Sequence, residues 1–329
     1  MKRAIFKSHG DPAKMIEILE EKDPVPGPGE VRVRNLVMTI NPADLLAIQG
    51  QYGAQPMTLP ATPGVGAYGV VDALGHGVSQ LKVGDAVLPV GSGLWADAVI
   101  LKERMAPKAP AGCDPEQAAL MRANPATAYL MLTDMVKLEA GDWIVQNAAN
   151  SNVGRMVIRF AHELGLKTVN IVRRGDVAEA LRSDGADIVI IDEGQDMAAA
   201  ISSATSAMPK LALDAVGGSA TEALGAAVMD RGTVVVYGLL SGETNQLNPR
   251  DLVFRDVKLR GFWLFDWYRT ANRQKMHDLH SFLEAKLAKG ILQTDIEARY
   301  PLDHVREAVA HAARDGRNGK ILLKGNNDA

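Results

Sequence analysis

A short polar turn in the middle of the chain has the residue types that could bind a phosphate group. The apolar stretch DWIVQNAA (142–149) leads into the turn ANSNVG (149–154), after which a helical pattern begins. Small polar residues let backbone N–H groups approach a pyrophosphate, and the first turn of a helix carries partial positive charge. Gly154 is the only glycine where G-x-G-x-x-G is usual, so a plain helix N-cap formed by Asn150 or Ser151 is the alternative.

Two arginines, Arg173 and Arg174, end the next predicted strand about 20 residues beyond this turn. NAD-binding units usually place a carboxylate at this point, where it binds the ribose 2′-hydroxyl. Guanidinium groups would instead form charge-assisted, bidentate hydrogen bonds with a 2′-phosphate. The pair therefore predicts NADP in preference to NAD if the turn binds a nucleotide; a solvated pair at a strand end is the alternative.

The segments around these residues alternate between strand and helix patterns from about residue 120 onward. Strands are predicted at 142–149, 167–173, 187–192, 211–216 and 232–238, and helices at 153–165, 176–183, 196–207 and 219–229. This alternation predicts a doubly wound parallel sheet, which would place the polar turn at a strand end.

The rest of the chain has a different sequence pattern. The first third has short Val-rich runs such as 31–37 and 69–74, separated by Pro and Gly, and this predicts a β-rich barrel or sandwich. A helix is predicted from Pro125 to a stop at Gly141, and another over 270–289. The final strand pattern, 319–324, is expected to return to the first domain.

Composition limits the classes of function. The 329 residues suggest two domains, and a net charge of −3 argues against nucleic acid as a partner. No apolar run reaches the ~18 residues of a membrane span, and the start of the chain has no secretory h-region. A single cysteine, Cys113, excludes an internal disulfide and fits a reducing, cytoplasmic location.

Several segments together resemble the medium-chain dehydrogenase/reductase superfamily in its zinc-free branch. Within it, the chain is most similar to the mitochondrial-type trans-2-enoyl thioester (enoyl-CoA) reductases and to related bacterial quinone oxidoreductases. The segments that carry the resemblance span essentially the whole chain: INPADLLAIQGQYG (40–53), RANPATAYLML (122–132), QNAANSNVGR (146–155), NIVRRG (170–175), LALDAVGG (211–218), VVVYG (234–238) and LRGFWLFDW (259–267).

The resemblance implies an α/β fold of two domains. A discontinuous GroES-like, β-rich catalytic domain would comprise residues 1–121 and 265–329, and a Rossmann NADP-binding domain with a doubly wound parallel sheet would comprise 122–264. Cofactor and substrate would lie in the cleft between the domains. Members of the family are usually homodimers joined through the Rossmann sheets.

The resemblance also allows the zinc positions of related alcohol dehydrogenases to be compared directly. The position of their cysteine ligand falls in Asn41-Pro42-Ala43-Asp44, and their His-Glu pair falls in Gly64-Val65-Gly66-Ala67. Neither segment offers a zinc ligand set. The enzyme is therefore expected to work without a metal.

Tyr52 matches the tyrosine that the family uses as proton donor or as the group that orients the substrate. The implied reaction is NADPH-dependent reduction of the C2=C3 double bond of a 2-enoyl thioester, carried by CoA or acyl carrier protein, as in fatty acid metabolism. Negative charge develops on the thioester oxygen and the α-carbon, and a phenol can stabilise it and supply a proton. A tyrosine with an ordinary pKa near ~10 is protonated at neutral pH.

The remaining site residues are carried over by position as cofactor contacts. They comprise a residue near the nicotinamide, the pyrophosphate turn, the 2′-phosphate segment, two strand-end loops and a lysine of the C-terminal strand: Asn124; Asn150, Ser151, Asn152 and Val153; Arg173 and Arg174; Tyr237, Gly238, Leu239 and Leu240; Phe262, Trp263 and Leu264; and Lys320. Asn41 and Asp44 are expected to hold the loop that bears Tyr52.

Two departures from the enoyl reductase pattern leave alternatives open. Their Gly-Asn-Glu-Gly segment is replaced here by Gly64-Val65-Gly66-Ala67, and their Arg-x-Arg by Arg173-Arg174-Gly175. The first departure leaves the acyl substrate undetermined, whereas the second is expected to keep NADPH. An NADPH:quinone or small enone oxidoreductase on the same fold is the alternative function. A nucleotide-binding protein without turnover is a third.

Overall fold

The computed structural model describes residues 1–53 and 57–325, which form two compact units. One unit comprises Met1–Ala123 and continues from His280, and the other comprises Asn124–Leu279. The bounds expected for the domains, 122 and 265, stay a prediction; the compact units change over at residues 124 and 280.

The first unit is built around a mixed sheet. Its strands are β1 (Lys2–Phe6), β2 (Ile16–Glu20), β3 (Glu30–Thr39), β4 (Ala67–Leu74), β5 (Ala86–Val87), β6 (Ala98–Lys102), β13 (Ile296–Pro301) and β14 (Lys320–Lys324). The sheet order is β13-β14-β3-β4-β5, with β6 also paired to β3, whereas β1 and β2 form a separate hairpin. The C-terminal strand therefore returns to the first unit, as predicted, by antiparallel pairing of β14 with β3.

Alternating burial along β3 shows why this segment forms a strand. Its inward residues, such as Val31 and Val33, are fully buried and alternate with half-buried arginines. Val31 and Val33 belong to one buried cluster, and a second buried cluster contains Phe6, Met38 and Trp95. These two clusters form the core against which the loops of this unit are placed.

Helices in the first unit were not predicted within its β-rich first third. They are α1 (Pro12–Met15), α2 (Pro42–Gln49) and α3 (Pro115–Met121), and α12 (Val305–Ala313) follows later in the chain. Each of the first three begins with proline directly after an Asx residue, which is a favourable helix start. The prediction of strands alone in the first third was wrong at α1 and α2, which have four and eight residues and are too short for periodicity to show.

The second unit is a doubly wound parallel sheet, as predicted. Its strands are β7 (Trp143–Gln146), β8 (Lys167–Val172), β9 (Ile188–Ile191), β10 (Leu211–Asp214), β11 (Thr233–Val236) and β12 (Lys258–Gly261). They lie in the order β12-β11-β10-β7-β8-β9, all parallel. Counted from β7, this is the order 3-2-1-4-5-6 of dinucleotide-binding sheets.

Helices connect these strands, and those predicted at 153–165, 176–183, 196–207 and 219–229 are all present. They are α4 (Asn124–Thr133), α5 (Asn152–Glu163), α6 (Ala178–Ser183), α7 (Met197–Ala204), α8 (Ser219–Ala227), α9 (Pro249–Arg255) and α10 (Leu264–Thr270), followed by α11 (Arg273–Ala288). Residues of β7, β8, β10 and β11 form the buried centre of the sheet, including Val145, Val169, Ala212 and Val234.

The predicted stop of α4 at Gly141 was wrong, because the helix ends at Thr133. The Thr133 hydroxyl donates back to the Tyr129 carbonyl at 3.0 Å. The Met135 carbonyl accepts a hydrogen bond from Arg260 at 3.1 Å. The Arg260 bond is a tertiary contact of the segment after the helix, and a periodic sequence pattern does not reveal it. Within the described ranges, no helix is both long and apolar enough to cross a membrane.

Candidate cofactor and catalytic site

The polar turn predicted from the sequence lies between β7 and α5, at the carboxyl end of the first strand of the parallel sheet. Strand order reverses between β7 and β10, and ligands of such sheets bind outside the strand ends at this point. Ser151 caps α5, since its hydroxyl oxygen accepts from the Gly154 N–H at 3.1 Å. The turn is therefore both an N-cap and a candidate phosphate site, so the two readings of the sequence are compatible.

Gly154 shows why one glycine is enough at this turn. A Cβ at this position would lie 2.5 Å from the Ala149 carbonyl oxygen, so the helix packs against the strand end more closely than any side chain allows. The Gly154 carbonyl accepts from the buried Gln146 side chain at 2.9 Å. Close helix–strand packing is the role of the third glycine of the usual fingerprint. Asn150, Ser151, Asn152 and Val153 are thus held at the helix N-terminus, with Asn150 exposed.

A buried polar network fixes the strand ends beside the turn, and none of its residues was predicted to be functional. Asp214, the last residue of β10, is fully buried and accepts from Asn147 at 2.6 Å and from Thr221 at 2.6 Å. Asn147 in turn accepts from the Ala215 N–H at 2.8 Å. The network joins β7 to β10 at the switch point. The signal in the sequence was an aspartate at a strand end, three residues before a pair of glycines.

The Tyr237 hydroxyl is a buried polar atom next to the turn. No hydrogen bond of ordinary length and angle satisfies it within residues 1–53 and 57–325. Burial raises the pKa of Tyr237 well above its ordinary value, and the neighbouring Ser151 hydroxyl opposes this shift. Buried polar groups without partners are rare in folded proteins and mark places where a ligand or water completes the bonding. The observation fits a polar ligand at this edge of the sheet.

Both predicted 2′-phosphate residues lie just after β8. Arg173 is exposed, and among the described residues it forms no ion pair. Arg174 is half-buried, and its Nε lies 3.5 Å from an Asp176 oxygen. Two guanidinium groups at the end of the second strand are chemically suited to a phosphate dianion. The sheet order, the capped helix and these cations fit a nicotinamide dinucleotide.

The loops after β11 and β12 hold the other predicted cofactor residues of this unit. A Cβ at Gly238 would lie 2.6 Å from the Ala215 carbonyl oxygen, so this loop follows the end of β10 closely. Leu239 and Leu240 are exposed. After β12, Phe262 and Leu264 are half-buried and Trp263 is exposed, with its ring 5.3 Å from that of Phe265. Asn124, half-buried, begins α4.

In the first unit, Tyr52 lies directly after α2. The helix ends at Gly50, whose left-handed φ of 77° lets its N–H bond to the Ala47 carbonyl at 3.1 Å. Gln51 N–H then bonds to the Leu46 carbonyl at 2.8 Å. The Tyr52 side chain is half-buried. The direction of α2 thus determines where the tyrosine loop begins.

Three polar residues hold the start of α2. The Asp44 carboxylate, 2% exposed, accepts from the Asn41 N–H at 2.7 Å and from the Gly64 N–H at 3.1 Å. The Lys320 ammonium donates to the Asn41 side-chain oxygen at 2.7 Å and to the Ile40 carbonyl at 3.0 Å. The contacts support the expectation that Asn41 and Asp44 hold the loop of Tyr52. Lys320, which was predicted to contact the cofactor, here donates to the Ile40 carbonyl and to the Asn41 side chain.

Burial controls the ionisation of this group. It raises the pKa of Asp44 to about 6, while the hydrogen bond from Asn41 and the charge of Lys320 act in the opposite direction. Burial also lowers the pKa of Lys320 to about 8, against the attraction of Asp44. At neutral pH both groups are largely charged, and each stabilises the charge of the other.

The zinc positions of related dehydrogenases do not fit a metal here. Gly64 has a φ of 107°, and a Cβ there would lie 2.5 Å from the Trp95 ring. A Cβ at Gly66 would lie 2.6 Å from the Thr39 hydroxyl oxygen. Across the described ranges, no three His, Cys, Asp or Glu side chains form a group that could hold a metal ion. Metal-free catalysis stays a prediction.

Comparison with known proteins places the chain among oxidoreductases. The family described as zinc-binding dehydrogenase matches residues 152–284, and the alcohol dehydrogenase GroES-like domain matches residues 27–111. The mitochondrial enoyl-[acyl-carrier-protein] reductase of Rattus norvegicus is 36% identical over 93% of this chain and 83% of its own.

Solved structures of two kinds share the fold. A putative NADPH:quinone reductase of Bacillus thuringiensis superposes with a TM-score of 0.91 at 27% identity, covering 99% of both chains. The mitochondrial 2-enoyl thioester reductase heterodimer of Candida tropicalis superposes with a TM-score of 0.86 at 25% identity, covering 98% of this chain and 99% of the other.

Proposed function

The chain belongs to the medium-chain dehydrogenase/reductase superfamily and is an oxidoreductase, and we propose that it reduces the C2=C3 double bond of 2-enoyl thioesters with NADPH. The observation that carries the proposal is the 36% identity to the rat enoyl-[acyl-carrier-protein] reductase over 93% of the chain. A relative this similar over nearly the full length supports the same reaction type.

The second unit supports a nicotinamide dinucleotide as the cofactor. The capped N-terminus of α5 and the buried Tyr237 hydroxyl lie where a pyrophosphate binds in such sheets. Arg173 and Arg174 would hold the 2′-phosphate of NADPH. When bound, NADPH supplies the hydride that adds to the β-carbon of the substrate.

Tyr52 would complete the reaction. Its hydroxyl donates a hydrogen bond to the thioester oxygen as negative charge develops there, and it supplies or relays the proton that adds to the α-carbon. One hydride and one proton together convert the double bond to a single bond. Asp44 and Asn41 hold the helix from which this tyrosine extends.

An NADPH:quinone or small enone oxidoreductase is the second candidate function. The similarity to the putative quinone reductase of Bacillus thuringiensis favours it. Quinone reduction needs the cofactor next to an acceptor but needs no proton donor at an α-carbon. The two candidates therefore differ in their dependence on Tyr52.

A Tyr52→Phe variant separates the two candidates. We expect its kcat with crotonyl-CoA to fall by more than about 10-fold, because general acid catalysis is lost, while turnover of a benzoquinone stays largely intact. The matched control is Tyr68→Phe on β4, where no catalytic role is expected. Steady-state kinetics with both acceptors measure the effect. Unchanged turnover of both acceptors in Tyr52→Phe would rule out the role of Tyr52.

A further inference from the structure

Lys320 is a buried cation at an unfavourable place. Its side chain is 6% exposed, and its ammonium contacts Ile40 and Asn41, which directly precede α2. A helix N-terminus already carries partial positive charge, so a cation beside it is disfavoured. Burying an ammonium ion adds a desolvation cost. A residue that served only to fill this space would be apolar.

The bonds of Lys320 fix the orientation of the Asn41 amide. Because the Asn41 oxygen accepts from Lys320 at 2.7 Å, its NH₂ group faces the Thr39 hydroxyl, which it meets at 2.9 Å. The Asn41 N–H donates to Asp44 at 2.7 Å. The side-chain oxygen, the NH₂ group and the N–H of Asn41 therefore each have a defined partner. The bond from Lys320 fixes which way the amide is turned.

The buried pair of charges also connects α2 to two other segments. Lys320 lies on β14, and the Asp44 carboxylate reaches the Gly64 N–H at 3.1 Å. Opposite charges on Asp44 and Lys320 offset part of the cost of burial, and Arg317 is the other cation that acts on Lys320. The first turn of α2 is thus held from the strand and from the loop at the same time.

We propose that Lys320 is a positioning residue that acts through Asn41 to set the direction of α2, and thereby the place of Tyr52, instead of contacting the cofactor. The helix is only eight residues long, so a shift at its first turn is transmitted to Gly50 and to the loop beyond. The catalytic consequence rests on the proposed function, whereas the contact with α2 does not.

The test compares Lys320→Met with Lys324→Met. Both lysines lie on β14, but Lys324 pairs with Glu116 at 3.0 Å and so controls for loss of a lysine from the strand. Hydrogen exchange is measured over residues 41–53, NADPH affinity by titration, and kcat with crotonyl-CoA. Met has a volume similar to that of Lys, but the change leaves Asp44 buried without its counter-charge, so denaturant unfolding is measured for both variants as well.

In Lys320→Met we expect amide exchange in 41–53 to rise about 10-fold or more, as local opening becomes easier. We expect kcat to fall about 10- to 100-fold because Tyr52 is displaced. NADPH affinity should stay within about two-fold, since one lost contact to a phosphate would cost more. Lys324→Met should leave all three quantities close to those of the wild type.

Weaker NADPH binding with unchanged exchange over 41–53 would overturn the proposal and make Lys320 a cofactor ligand. Unchanged exchange and unchanged kcat would also overturn it. Should Lys320→Met fail to fold, Lys320→Arg serves as the test variant, because it retains a cation with a different shape. It should raise amide exchange over 41–53 and leave NADPH affinity unchanged. Exchange and NADPH binding need no substrate. A wild-type protein that does not reduce enoyl thioesters would thus contradict the proposed function and leave this test intact.

Discussion

Arg173 and Arg174 are the two side chains to which we assign the proposed preference for NADPH. Their location was predictable from the sequence, because a strand end about 20 residues after the turn is where the ribose is recognised. The structure places both just after β8, with Arg173 exposed. The burial of Lys320 against Asn41 was not predictable, since the two residues are separated by 279 positions in the chain. Only the fold brings them together.

Replacing both arginines by alanine should raise the KM for NADPH by about 10-fold or more and change that for NADH little. The reason is that charge-assisted hydrogen bonds to the 2′-phosphate are lost, and NADH has no such phosphate. Initial rates with each cofactor measure the difference. Arg182→Ala, on the exposed side of α6 in the same unit, is the matched control. Equal effects on both cofactors would contradict the 2′-phosphate assignment.

At the scale of single elements, most strands and helices of the parallel-sheet unit were predictable, whereas the short helices of the first unit were not. The helix predicted over 153–165 is α5, whose residues Met156, Val157 and Phe160 are buried. The helix α2 was missed because its eight residues are too few for periodicity to show. Its first turn also bonds to distant Gly64, and the segment after α4 bonds to Arg260. Contacts between residues far apart in the chain cannot be predicted from a local pattern.

Gly154 tests the close packing of α5 on β7. Gly154→Ala should destabilise the protein by about 1 to 3 kcal/mol, because the new Cβ would lie 2.5 Å from a carbonyl oxygen and the helix would have to move away. NADPH affinity should fall with it, since the capped turn moves too. Gly261→Ala is the control, as a Cβ there meets no atom within 4 Å.

Denaturant unfolding and NADPH titration of both variants measure these effects. A Gly154→Ala protein as stable as Gly261→Ala would show that the turn tolerates a side chain, contrary to the structural account.

At the scale of the whole molecule, the two-part α/β fold was predictable from the alternation of strands and helices and from the family resemblance, and it is confirmed. The net charge of −3 argues against nucleic acid as a partner, whereas composition gives no information on assembly. The cytoplasmic location and the homodimer implied by the family stay proposals. The acyl substrate stays undetermined, because Gly64-Val65-Gly66-Ala67 departs from the enoyl reductase pattern.

The most direct test of the account is oxidation of NADPH by the purified wild-type protein with crotonyl-CoA, a medium-chain 2-enoyl-CoA and a benzoquinone side by side, each repeated with NADH. We expect kcat/KM for the enoyl thioesters to exceed that for the quinone, and NADPH to be preferred over NADH. Turnover of the quinone alone would contradict the proposed function and leave quinone reduction as the activity of this chain.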